Sequence, residues 1–135
     1  MKMSYVRLVL GVTLLTVIAL ASCELFGEEE GVSRDDRLGT FLAQLNAGQY
    51  DRLNGNMHPN VKVTEMNTAD YWETQLSGGA GWEFTILNVG DVKIDSAPDT
   101  NLNGSNLTFT YAKSKDDYFF TSISLEETQI APPPN

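Results

Sequence analysis

The chain has 135 residues with a formal net charge of −9, a hydrophobic content of 41% and a single histidine, His58. That length fits one domain, and the acidic balance disfavours nucleic acid as a partner. With one cysteine there is no internal disulfide and no cysteine metal centre. With one histidine there is no His pair for a metal and no nucleophile–base–acid set to draw. No glycine-rich phosphate cradle is present, and nothing calls for a cofactor.

Lys2 and Arg7 open the chain, residues 8–21 are fourteen uncharged residues in a row, and Leu20-Ala21-Ser22-Cys23 closes the run. A basic start, an apolar middle and small residues at the end make the layout of a secretory signal. A membrane-spanning helix needs about 20 apolar residues at about 1.5 Å each, so fourteen predict export, not a span.

The sequence Leu20-Ala21-Ser22-Cys23 resembles the bacterial lipobox, in which a branched apolar residue and two small residues precede an invariant cysteine. The resemblance implies cleavage before Cys23, a diacylglycerol on its thiol and acylation of the new amino terminus. The thiol is the side chain here with a soft nucleophile suited to a stable thioether. At about 0.8 kcal/mol per buried methylene, one chain anchors weakly and two or three anchor durably. The implied location is the cell envelope, with the membrane as a partner through the lipid. Glu24, where an aspartate would signal retention, implies the outer membrane of a Gram-negative cell, and in a cell with one membrane the anchor implies its outer face.

Removing residues 1–22 leaves 113 of the 135 residues, carrying all 18 acids and seven of the nine bases, an excess of 11 negative charges. Such a body has no favourable overall attraction to anionic headgroups, so the lipid must do the attaching. Residues 23–32 hold the modified cysteine and an acidic stretch with Glu24, Glu28, Glu29 and Glu30, which reads as a solvated tether.

The domain is expected over residues 33–127. Ser33 caps a helix in capping-box form, with Asp35 and Asp36 at the positive end of its dipole. Leu38, Phe41, Leu42 and Leu45 give it one apolar face, and Asn46-Ala47-Gly48 stops it, with Gly48 as a left-handed terminator. A second, shorter helix is expected from Gln49 to Met57, ending at His58 because Pro59 follows. Val61 and Val63 alternate with polar neighbours as a short strand would. Thr68 is the candidate cap of a third helix, Ala69 to Leu76, and the glycine-rich residues 77–81 end it.

From Trp82 the period becomes two. Trp82, Phe84 and Ile86 alternate with polar residues before Leu87 and Val89 take over the parity, which predicts a bulge near Ile86. Val92 and Ile94 form a second strand, residues 96–105 a loop, and Leu107, Phe109 and Tyr111 a third strand. Phe119, Thr121, Ile123 and Leu125 form one face of the last, and residues 128–135 read as a proline-rich extended tail.

Helices first and an antiparallel meander after is an α+β plan: helices on one face of a curved sheet of four to five strands. With Phe41-Leu42-Ala43-Gln44-Leu45-Asn46-Ala47-Gly48-Gln49-Tyr50, the His58-Pro59 exit and Tyr118-Phe119-Phe120, this order resembles the nuclear transport factor 2-like superfamily, over residues 33–127. The resemblance implies a cone whose mouth takes a small apolar ligand, lined by Trp72, Trp82, Phe84, Tyr111 and Phe119, with His58 and Glu65 near it. Against this stands a plainer reading, that the aromatics fill the core of a half-buried sheet.

The isomerases of that superfamily place a catalytic acid on the first strand after the second helix, and the match is Glu65, a general base if burial raised its pKa. Their oxyanion tyrosine on the first helix has no counterpart among Leu38, Phe41, Leu42 and Leu45, and a base without an oxyanion donor gives little rate. The expectation is therefore a lipid-anchored envelope protein whose domain is a non-enzymatic module for a small ligand or an envelope protein. The competing expectation is a small-molecule isomerase or cyclase using Glu65.

Overall fold

The structure is a computed structural model and describes residues 31–134. The signal, Cys23 and residues 24–30 of the acidic tether lie outside the described residues, whereas the last two residues expected in the tether, Gly31 and Val32, belong to the domain, the Val32 N–H donating to Asp117 Oδ1 at 2.8 Å.

Helix α1 spans Arg34–Asn46, and its start is as expected: the Ser33 hydroxyl accepts from the Asp36 N–H at 3.0 Å. Its end is a glycine-terminated cap. Gly48 has φ +75°, its N–H donates to the Leu45 carbonyl, and the Gln49 N–H donates to the Gln44 carbonyl. The buried stripe is Leu38, Phe41, Leu42 and Leu45, joined by Arg37.

The second helix is a 3-10 segment, Tyr50–Asn56, not an α-helix. It burial-packs Tyr50, Leu53 and Asn56, one residue per three-residue turn, a spacing that suits 3-10 winding. The strand expected at Val61 and Val63 does not form. Pro59–Val61 and Thr64–Met66 are single 3-10 turns, and Pro59 fixes the first by its locked φ. What pairs with the sheet is Met57, in a parallel bridge to Phe120, with the His58 N–H donating to the Phe120 carbonyl at 2.8 Å. Helix α2 runs Ala69–Leu76 with the Thr68 hydroxyl capping Tyr71 N–H, as expected.

Five antiparallel strands follow in chain order across one sheet: β1 Glu83–Asn88, β2 Asp91–Ser96, β3 Asn106–Ser114, β4 Asp117–Leu125 and β5 Thr128–Ala131. The architecture is α+β, with helices packed on one face of a curved sheet. An irregularity near Ile86 is present in the β1–β2 register, as the parity change predicted. A second interrupts β3–β4, where Thr110 faces Ser122 and Tyr111 faces Phe120, leaving Thr121 unpaired. This bulge moves the core parity of β4 from Ile123 to Phe120, so Phe120 is fully buried and Phe119 is not. The tail expected from 128 is, over its first four residues, strand β5, and it buries Ile130 and Ala131.

Helix α1 lies on β4 with Phe41 as the hub. Its ring meets Phe120 at 5.3 Å, Phe109 at 5.6 Å and Trp72 at 6.3 Å, all edge to face. Asn46, at the end of α1, fastens the glycine-rich turn: its carbonyl accepts from Gly81 N–H and its side-chain oxygen from Trp82 N–H.

Candidate functional site

The aromatic candidates separate into groups instead of lining one mouth. Trp72 is fully buried, edge to face with Phe41 and Tyr71, and its indole N–H donates to the Met66 carbonyl at 3.0 Å. Trp82 and Phe84 stack at 5.8 Å, the Trp82 indole donating to the Gly79 carbonyl. Tyr111 leans on Phe120 at 5.2 Å and its hydroxyl donates to the Val89 carbonyl. Burial, then the nearby Asp35 carboxylate, pushes that phenol up to about 12. These rings meet one another and spend their polar atoms on backbone carbonyls.

Glu65 stands exposed on the Thr64–Met66 turn. Its carboxylate helps raise the Tyr71 phenol, after burial, but the Tyr71 hydroxyl is engaged by the Ile130 carbonyl.

Phe119 and His58 belong to a different cluster, whose centre is Arg37. Arg37 is 9% exposed and shares the 37, 41, 45 row of α1 with Phe41 and Leu45. Its Nε–H donates to the Tyr118 carbonyl at 2.8 Å and its Nη1–H to Asn56 Oδ1 at 3.0 Å. The guanidinium lies over the Phe119 ring at 4.3 Å. Burial lowers its pKa, and Asp117 acts in the opposite direction. Asn56 in turn donates to Gln44 Oε1 at 2.8 Å and to the Leu53 carbonyl at 3.2 Å. One buried cation therefore ties α1, the 3-10 segment and β4 together.

His58 borders this cluster, its ring edge to face with Phe119 at 6.2 Å. Its Nδ1 accepts from the Asn60 N–H at 3.1 Å, so the ring proton sits on Nε2, which lies 3.0 Å from the Lys113 carbonyl and donates to it. Both ring nitrogens are occupied by backbone partners. The arrangement positions and clamps the segments it joins.

Arg37 and Asn56 are the members that sequence reasoning missed. The signal for Arg37 was its place four residues before Phe41 on the apolar row, where a charge is unexpected. For Asn56 no comparable signal existed.

Among the described residues no group of His, Cys, Asp or Glu is placed to hold a metal ion, and no helix is long and apolar enough to cross a membrane. Searches against family models, curated proteins and solved structures match nothing for this chain.

Proposed function

We propose that this chain is a lipid-anchored protein of the bacterial cell envelope whose α+β domain is a non-enzymatic protein-interaction module. The observation that carries the anchor is Cys23, the single cysteine of the sequence, placed directly after Leu20-Ala21-Ser22 where the uncharged run that begins at Leu8 closes. With Glu24 next, the reading places the anchor in the outer membrane of a Gram-negative cell.

Two features support interaction over ligand carriage or catalysis. The aromatic rings expected to line a mouth pack on one another, and Glu65 stands in solvent. By contrast, β1 is an edge of the sheet with Ile86 55% and Leu87 56% exposed, side chains an extended segment of an envelope partner would cover on adding a strand. The order of helices ahead of the sheet, and the His58-Pro59 exit beside it, support kinship with the nuclear transport factor 2-like superfamily.

Intact-mass spectrometry of protein extracted from membranes tests the anchor. The expected mass is that of a chain beginning at Cys23 plus a diacylglycerol and an acyl group. A chain beginning at Met1, or at residue 23 with an unmodified thiol, would contradict it.

A further inference from the structure

The two edges of the sheet are treated unequally. On β5 the Tyr71 hydroxyl donates to the Ile130 carbonyl, and Pro132, Pro133 and Pro134, which carry no N–H, follow the strand directly. Beyond β5, the rest of β4 is met by Met57 and His58 through the bridge to Phe120. Strand β1 has β2 on one side, and among the described residues no segment pairs with its other side. It has no proline, no lysine and no charge at its centre, the devices that keep an edge from pairing. Of the exposed large hydrophobic side chains among the described residues, Val63, Ile86 and Leu87, two stand on this strand.

Strand β1 is also complementary to itself. Phe84 and Ile86 pair with Ile94 and Val92, both fully buried, so these four share the inner face, while Thr85 pairs with Lys93 on the outer one. Two such strands, antiparallel about a two-fold axis, must match inner residues with inner ones, so the axis passes beside a residue and not between two. Centred on Thr85, each Phe84 lies beside Ile86 of the second copy, Thr85 faces Thr85, and Glu83 falls opposite Leu87. Centred on Ile86, Phe84 would face Asn88 instead. The acids stay apart. Asp95, which accepts from the Thr85 hydroxyl at 2.6 Å, lies on β2. Three strand spacings separate its two copies, about 14 Å, beyond the screening length of about 10 Å at 0.1 M salt.

We propose that a second copy of this chain occupies the β1 edge, joined β1 to β1 in the antiparallel register centred on Thr85, so that two five-stranded sheets become one continuous sheet. The proposal rests on the interaction-module reading and names the partner. The pairing gives the open backbone groups of β1 their partners and covers Ile86 with Phe84 of the other copy at two symmetric positions. A partner chosen by charge would find little to read, because Glu83 is the single charged residue of the strand.

Because position 85 faces itself across the axis, a cysteine there reports the register. Thr85→Cys in the full chain, purified in a non-ionic detergent and oxidised with copper phenanthroline, is expected to give a disulfide-linked dimer. Its yield should be several-fold above that of Ile86→Cys, or of Gln129→Cys on β5, with the natural chain as background. Adding Ile86→Lys to Thr85→Cys should remove most of the dimer and leave the circular dichroism unchanged. Equal yields at 85 and 129, a larger yield at 86, or a dimer that Ile86→Lys leaves untouched overturns the proposal. A photo-crosslinking amino acid at Leu87, activated in cells, separates this from the interaction-module reading. The expected adduct has twice the mass of the chain. An adduct with a different protein alone overturns the self-pairing and keeps the module, and no adduct overturns both.

Discussion

Arg37 Nη1–H donates to Asn56 Oδ1 at 3.0 Å, a hydrogen bond between a buried cation on α1 and a buried amide on the 3-10 segment that follows. It fixes where the second segment lies on the first, and through the Tyr118 carbonyl it fixes both against β4. Removing the cation leaves one buried acceptor, Asn56 Oδ1, and one part-buried acceptor, the Tyr118 carbonyl, without this donor. Arg37→Ala is expected to destabilise the domain by about 2–4 kcal/mol, since orphaned buried polar groups cost about 1–3 kcal/mol each and the stem's packing is lost as well. Arg37→Lys, which cannot reach both acceptors as a fork, should recover less than half of this. Urea midpoints at constant slope provide the check.

Phe41 is the hub of the aromatic core, touching Phe109, Phe120 and Trp72. Phe41→Ala is expected to cost about 3–5 kcal/mol, the range for a large aromatic deleted from a core that cannot fully collapse. Phe119→Ala, at a half-buried ring outside that hub, should cost markedly less. Equal losses in thermal unfolding would mean that the parity of β4 is not as described.

High pH should weaken the fold. Burial is the leading cause raising the Tyr50, Tyr71 and Tyr111 phenols, the last to about 12. The unfolded chain releases these protons near the ordinary value of about 10, before the folded chain does. Between about 10 and about 12 the unfolded state therefore binds fewer protons, so stability is full below pH 10 and falls as pH rises through the folded values. Tyrosinate absorbance in the native protein should lag that in urea, and Tyr111→Phe should flatten the alkaline decline.

Gly31 tests the entry of the chain. With φ +100° and the Asp116 carbonyl oxygen in the space an added Cβ would occupy, Gly31→Ala is expected to lift Val32 from β4. Amide exchange at Tyr118, whose N–H donates to Val32, should accelerate at least ten-fold while Ile123 keeps its protection.

The sequence was most readable where a local rule acts alone. Ser33 and Thr68 cap their helices because a hydroxyl needs no distant partner to meet the second or third N–H, and the 38, 41, 42, 45 stripe is a matter of one period. It was least readable where distant segments decide. The Thr121 bulge exists because β3 and β4 pair on both sides of it, and it transfers burial from Phe119 to Phe120, a break in parity that the alternation Phe119, Thr121, Ile123, Leu125 does not display. Val61 and Val63 had the pattern of a strand, yet β4 is met by Met57 and His58 instead. The candidate site was legible as a set of aromatic residues and not as an arrangement, because the Arg37 cluster depends on Asn56 and Tyr118, 19 and 81 residues away.

The lipid on Cys23 is the claim on which location and role both depend. Its most direct measurement is metabolic labelling with a clickable fatty acid in cells making either the natural chain or Cys23→Ser, followed by separation of membranes from soluble protein. The expected result is label and membrane partition for the natural chain, and loss of both with an uncleaved precursor for Cys23→Ser. A Cys23→Ser chain that matures and partitions like the natural one would contradict the account.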